Sequence, residues 1–266
     1  MKHVAITGAS AGIGAALVAE FVRSGAAVTL VSRRRAEMEA LSREVGGRTQ
    51  LFTVDLSDLR EPSRITAWLA PAEAALGPID VLVNNAGVQI VEPAEEQDPA
   101  ALQAMLNVNL AVPLLLTRAV LPAMVARGSG TIVDVASLAG LAPTPGMWGY
   151  NATKGGLAAA SESLRGELRG TGVHVVTVYP GPVDTAMARA GYAAYPQTLS
   201  TRLLPQGTPA ELARLVRSAV DLGSARVIYP RSYAIVRYFP TIARWFLDRA
   251  TPRALSRSAR TPAAGS

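Results

Sequence analysis

Short, continuously apolar stretches alternate with helix-periodic ones along most of this chain. That alternation limits the fold more than any other feature. Lys2–Thr7, Ala27–Ser32, Gln50–Val54, Asp80–Val83, Gly130–Ala136, Gly172–Tyr179 and Arg226–Tyr229 read as strands. Between them, Gly12–Ser24, Arg35–Val45, Asp58–Leu76, Pro99–Arg127, Trp148–Gly170 and Pro209–Leu222 read as helices. In the first helix Ile13, Leu17, Val18 and Phe21 recur on one stripe, as a helix packed on a core requires. A strand that is apolar throughout is covered on both faces, and a parallel sheet with helices on each side provides that cover. The expected fold class is α/β, a doubly wound parallel sheet of about seven strands with helices on both faces.

Composition narrows the chemistry. There is no Cys, which removes disulfides, thiolate metal sites and Cys nucleophiles. The two His, His3 and His174, are far apart and each lies beside a strand-like run, so no His-based triad or metal site is expected. The start, Met1-Lys2-His3-Val4-Ala5-Ile6-Thr7, reaches Gly too early for a secretory leader. The longest clean apolar run, Leu110 to Leu116, contains Pro113 and is too short to span a bilayer. A cytoplasmic protein is expected. The net charge of +6 is uneven: residues 226–266 hold eight Arg against Asp248 alone, a net +7, leaving −1 for residues 1–225. The basicity belongs to the tail, so the charge does not make the whole protein a nucleic-acid binder.

Thr7-Gly8-Ala9-Ser10-Ala11-Gly12-Ile13-Gly14 joins the first strand to its helix. Glycines at 8, 12 and 14 allow a tight turn and close approach to a pyrophosphate, while the helix start offers free N–H groups and a positive dipole end. The alternative is a glycine turn that only allows close strand–helix packing. Its place in a strand–turn–helix opening favours a dinucleotide and a Rossmann-like sheet. The second strand ends Ser32-Arg33-Arg34-Arg35, with no acid to hold a ribose 2′-hydroxyl. Ser32 and Arg33 suit a 2′-phosphate, hence NADP (NADPH), whereas Arg34 and Arg35 read as the start of a solvated helix.

Tyr150 and Lys154 stand four apart, one face of a helix, with Ser137 upstream. An ammonium beside a phenol lowers a pKa of about 10, preparing the Tyr to exchange a proton with a substrate oxygen. Among 26 basic residues only Lys2 and Lys154 are Lys, and only Lys can relay a proton.

These motifs, with Asp55-Leu56, Asn84-Asn85-Ala86-Gly87, Asn107-Val108-Asn109 and Pro180-Gly181-Pro182-Val183-Asp184-Thr185, resemble the short-chain dehydrogenase/reductase family over about residues 2–229. The resemblance implies Tyr150 as acid/base, with Lys154 lowering its pKa and holding the nicotinamide ribose. It implies Ser137 on the substrate oxygen and Asn109 anchoring a water that links Lys154 to solvent. It further implies a cofactor site of Gly8, Ser10, Gly12, Ile13, Gly14, Ser32, Arg33, Asp55, Leu56, Asn85, Ala86, Gly87, Tyr150, Lys154, Pro180, Gly181, Val183 and Thr185. No metal is implied.

The chain departs from relatives that end in a Gly-rich turn after the last strand. It continues into a basic, aromatic-rich extension, so the expected division is 1–230 for the catalytic unit and 231–266 for the extension. Tyr233, Val236, Tyr238, Phe239, Ile242, Trp245 and Phe246 give that extension an apolar surface, suited to packing on the protein, on a second subunit, or at a membrane surface. Residues 186–205, with Met187, Tyr192, Tyr195, Leu199, Leu203 and Leu204, are expected to lie over a small hydrophobic carbonyl or alcohol substrate. Alternatives are a 3-oxoacyl thioester reductase and a non-catalytic NADP-sensing protein. A homo-oligomer is expected, with the apolar helices at 99–127 and 148–170 forming a dimer.

Overall fold

In a computed structural model of the chain, the described residues are 1–196 and 206–239, with 241, 245, 249, 251, 252 and 254–256 beyond them. Seven strands form one sheet: β1 (His3–Thr7), β2 (Ala27–Ser32), β3 (Thr49–Thr53), β4 (Val81–Asn84), β5 (Gly130–Val135), β6 (Val173–Pro180) and β7 (Arg226–Tyr229). All neighbours are parallel, in the order β3-β2-β1-β4-β5-β6-β7. The order reverses between β1 and β4, and in such sheets the crevice at the strands' carboxyl ends is where ligands bind.

Among the described residues the helices include α1 (Gly12–Arg23), α2 (Arg35–Val45), α3 (Pro62–Thr66), α4 (Leu69–Leu76), α5 (Pro99–Leu106), α6 (Val112–Ala126), α7 (Trp148–Glu167), α8 (Ala186–Ala193), α9 (Pro209–Leu222) and α10 (Ala234–Tyr238). Successive strand residues point to opposite faces. Val4, Ile6, Val28 and Leu30 therefore pack with Leu17 and Phe21 of α1 and Leu212 and Val216 of α9. Ala5, Val31, Leu82 and Ile132 pack on the other face with Ile65, Trp68, Val112, Leu116 and Met124. Both layers are closed by aliphatic side chains, which makes the fold a Rossmann-like doubly wound sheet.

Two helices differ from the sequence expectation. Residues 58–76 form α3 and α4 rather than one helix. Pro71 has no N–H for the carbonyl of Ala67, where the two helices separate. Between α5 and α6 lies a π turn, Asn107–Ala111, in which the Val112 N–H bonds the Asn107 carbonyl five residues back. Pro113 cannot donate to Asn109, so the wider turn falls where the α-helical ladder is broken anyway. The whole run Pro99–Ala126, 28 residues, is long and apolar enough to cross a membrane by those measures. Here Val108, Val112, Leu116 and Met124 on it are buried against the sheet.

After β7 the chain folds back on the sheet's end. Tyr233 and Val236 pack on Leu138, Ala158 and Tyr179. The Arg237 guanidinium lies 5.4 Å from the Tyr179 ring centre and 3.4 Å from the Glu162 carboxylate. Further on, the Leu255 N–H donates to the Ala194 carbonyl at 2.9 Å.

Candidate active site

At the carboxyl ends of the strands lies a cavity of about 920 Å³. Every catalytic or cofactor residue named from the sequence lines it, except Asn109.

One end is built from backbone. Gly8 has φ +67°, and a Cβ there would lie 2.7 Å from Ala86 Cα. A Cβ on Gly14 would lie 2.1 Å from the Gly8 carbonyl oxygen, so neither position has room for a side chain. Thr7 Oγ1 accepts the N–H groups of Asn85 and Ala86, each at 3.0 Å, and the Asn85 amide donates to the Thr7 carbonyl at 2.9 Å. These bonds tie the ends of β1 and β4 together. They also commit the Asn85 side chain to the scaffold. The first turn of α1 has no side-chain cap and no acid, so its amides and positive dipole end remain for an anionic ligand.

Beside this turn Ser10 Oγ and Ser32 Oγ share a hydrogen bond of 2.7 Å, and Arg34 Nε donates to Ser10 Oγ at 3.1 Å. Arg33 lies 3.9 Å from Asp55. The hydroxyl and amide of Ser57 hold the Asp55 carboxyl below its usual range, and Arg33 adds to that. Arg35 pairs with Glu39 at 2.8 Å on the solvated face of α2. Arg34 therefore does not share the place expected for it with Arg35. It sits ahead of α2 with non-helical φ −93° and ψ 86°, directing its side chain to the glycine turn.

At the centre of the cavity, Tyr150 and Lys154 stand one turn apart on α7, both buried, with Ser137 following β5. Burial pushes the Tyr150 phenol above its usual pKa, and a hydrogen bond with the Ser137 hydroxyl pulls the other way. Burial brings Lys154 down to about 8, opposed by the nearby Asp134 carboxylate. The expected lowering of the Tyr150 pKa by Lys154 is thus not found. Desolvation dominates at the phenol, and Lys154 Nζ donates to the Val135 carbonyl at 2.7 Å. Behind them Asp134 is fully enclosed and raised by burial, and it accepts from the Asn84 amide at 2.8 Å.

Asn109 stands outside the lining. Its amide oxygen accepts the Val88 N–H and its nitrogen donates to the Val88 carbonyl, both at 2.8 Å, with Thr153 Oγ1 at 3.1 Å. Its side chain is spent on the loop after β4. A Cβ added at Gly87 would lie 3.4 Å from Asn109 Oδ1 and 3.5 Å from Lys154 Nζ, so a glycine separates the two residues.

The opposite end of the cavity comes from side chains. Val183 bridges to Gly207, and Thr185 caps α8 by accepting the Ala188 N–H at 3.1 Å. Met187, Tyr192 and Tyr195 face the cavity from α8 and the turn after it. Tyr195 is anchored by donating to the Pro145 carbonyl at 2.6 Å. The Arg189 guanidinium is mostly exposed and paired with Asp184. Leu199, Leu203 and Leu204, expected over the substrate, lie outside the described residues.

Residues 2–195 match the family model described as short chain dehydrogenase. The chain belongs to that family. As a short chain dehydrogenase it is an oxidoreductase. It is 34% identical over 230 residues to the ketoacyl reductase HetN of Nostoc sp., covering 85% of this chain and 78% of that one. It is 38% identical over 181 residues to the NADP-dependent 3-hydroxy acid dehydrogenase YdfG of Salmonella typhimurium, covering 68% and 72%. Among solved structures, a short-chain dehydrogenase from Sphingobium yanoikuyae in complex with NADPH has a TM-score of 0.77 at 29% identity, covering 96% and 98%.

Several residues lining the cavity of this short chain dehydrogenase carry no motif that places them there, although Tyr233 and Val236 stand out in the sequence as part of the extension's apolar surface. Gln89, Thr144 and Met147 come from the loops after β4 and β5, and Tyr233, Ile235, Val236, Thr251 and Pro252 from beyond β7. No motif spacing marks them. Only the run Arg33-Arg34-Arg35 could have indicated Arg34, through its charge.

Proposed function

We propose that this short chain dehydrogenase is NADP-dependent and interconverts a hydrophobic carbonyl compound and its alcohol, with Tyr150 as general acid/base. The observation that carries the reading is the buried Tyr150 phenol, hydrogen-bonded to Ser137 in the cavity whose other end is the glycine turn.

The residues present suit the dinucleotide. The close approach at Gly8 and Gly14 and the uncapped start of α1 fit a pyrophosphate. Arg33 and Arg34, with Ser10 and Ser32 between them and the turn, fit a 2′-phosphate. The names of YdfG and of the Sphingobium complex agree with that choice. Val183 and Thr185 would meet the nicotinamide end and Asp55 and Leu56 the adenine end. When bound, the cofactor supplies or accepts the hydride at the substrate carbon.

The chain's own groups handle the proton. Tyr150, raised by burial, is neutral at pH 7 and gives its proton to the oxygen as negative charge grows there. Ser137 donates to the same oxygen and holds it in place. Lys154, brought to about 8 and seated one turn from Tyr150, is a proton reservoir near neutral pH and a cation for the ribose. Asn109 holds the loop at Val88 that borders Lys154. In the alcohol-oxidising direction Tyr150 takes the proton back.

A homodimer through α6 and α7 is part of this proposal. Leu114 and Val125 on α6, and Trp148 at the start of α7, are 44%, 40% and 50% exposed, an apolar outer surface that a second copy would cover. The name of HetN favours a second reading, a 3-oxoacyl thioester reductase. Turnover of an acyl-carrier thioester in preference to free ketones would select it.

The deciding experiment is Tyr150→Phe, assayed by NADPH consumption with a panel of ketones. The rate should fall about 100-fold or more, while NADPH affinity, read by fluorescence titration, stays within a few-fold. A variant as fast as the parent would falsify the assignment.

A further inference from the structure

We propose that the segment after β7 is the specificity wall of the substrate compartment, where Tyr233, Ile235, Val236 and Pro252 set the size of the apolar group carried beside the carbonyl. This rests on the reading of the cavity as the place of hydride transfer.

Two sets of side chains enclose that part of the cavity. Met187, Tyr192 and Tyr195 come from α8 and its end, and Tyr233, Ile235, Val236, Thr251 and Pro252 from beyond β7. The later segment is anchored on both sides of the space. At one side Tyr233 and Val236 pack on Leu138 and Tyr179, while Arg237 reaches Tyr179 and Glu162. At the other, the Leu255 N–H holds the Ala194 carbonyl at 2.9 Å, and Ala254 packs with Met147, Val91 and Tyr195. Gly146 adds to the fit, since a Cβ there would lie 2.4 Å from Ala254 Cβ. The described residues are therefore held at both sides of the space, Tyr233 and Val236 at β6 and Ala254 and Leu255 at the end of α8, and Tyr233, Val236 and Pro252 are part of the wall.

The chemistry of the wall names the guest. Among the described residues lining the cavity, charged side chains occur only as Arg33, Arg34 and Asp55 at the turn end and Lys154 at the centre. The part between α8 and the C-terminal segment offers aromatic rings, aliphatic groups and, among the described residues, the uncharged Gln89, Thr144 and Thr251. Apolar side chains make up most of the described wall, so an apolar group of the substrate is favourably buried against it. Tyr192 and Tyr233 both line the space, and burial, with Tyr233 adding, pushes the Tyr192 phenol up to about 12. Both rings stay neutral and present apolar faces.

The test uses the full chain and three variants. Tyr233→Ala enlarges the wall. Ile235→Trp narrows it at a residue 54% exposed, where a larger side chain does not disturb the core. Phe239→Ala alters the same segment at a residue that does not line the cavity. Rates of NADPH oxidation are compared for cyclohexanone and benzophenone. Ile235→Trp should lower kcat/KM for benzophenone about tenfold and leave cyclohexanone within threefold. Tyr233→Ala should move the ratio the other way, Phe239→Ala should not move it, and NADPH affinity should be unchanged in all three. An unmoved ratio in both lining variants, or a ratio that moves only together with NADPH affinity, overturns the wall. If the parent turns over no ketone of a broad panel, the proposed function fails by itself. Calorimetry of benzophenone with the NADP⁺-loaded parent and Ile235→Trp then decides the wall: binding weakened tenfold in the variant keeps it, and equal or absent binding removes it.

Discussion

The two ends of the cavity are made of different material. The turn end is backbone and fixed charge: Gly8, Gly12 and Gly14, the uncapped start of α1, and Arg33 and Arg34. The substrate end is side chain: Tyr192, Tyr195, Tyr233 and Val236, carried by segments distant in sequence. At Gly8 and Gly14 the cradle has no slack, because an added Cβ meets main-chain atoms that cannot rotate away. A side-chain wall can change volume while the fold persists, so it is the part free to vary with substrate.

That contrast can be broken most directly at Gly14. A methyl group there would stand 2.1 Å from the Gly8 carbonyl oxygen, and the clash falls on backbone. Gly14→Ala should cost about 3 kcal/mol at the turn, weakening NADPH binding about 100-fold in a fluorescence titration. Near-parental affinity would show the turn to be as adaptable as the opposite wall.

A smaller effect sharpens the charge part of the comparison. Arg33→Ala with Arg34→Ala removes both guanidinium groups beside Ser10 and Ser32. The preference for NADPH over NADH should fall about 30-fold, the scale of one or two hydrogen bonds to a charged group. If Arg33→Ala alone gives the whole loss, Arg34 only steadies the turn.

The smallest expected effect lies between the two ends, at Lys154. Its pKa is lowered from 10.5 to about 8 because burial disfavours the ammonium. The unfolded chain therefore holds more protons than the native one between about 8 and 10.5, and the residue's stability cost shrinks as pH rises through that window. Below about 8 the cost is present in full. Lys154→Met should raise the melting temperature by a few degrees at pH 7, and the gain over the parent should fade as the buffer approaches pH 10.5. Calorimetric melts at both pH values check this, and a gain that persists at the higher pH contradicts it.

The legibility of this protein in its sequence follows the same division. The central strands are readable because their runs are apolar and buried on both faces, and the glycine turn because its requirements are local. Tyr150 and Lys154 were readable because helix geometry converts a spacing of four into adjacency. The break at Pro71 and the π turn before Pro113 do not show in the periodicity, because the apolar spacing continues across the missing donors. Spacing places Lys154 beside Tyr150 but says nothing about how much water remains around them, and burial is the larger influence on the phenol.

By itself, the sequence determined the alternating architecture, the phosphate-type turn and the Ser137, Tyr150 and Lys154 constellation, all properties of short stretches and fixed offsets. Only the tertiary structure decided that Arg34 turns to Ser10, that Asn109 spends its amide on Val88, and that Tyr233, Val236 and Pro252 close the cavity. Those contacts join residues far apart in the chain. No local rule for dihedrals, caps or periodicity specifies such a meeting until the sheet has brought the segments together.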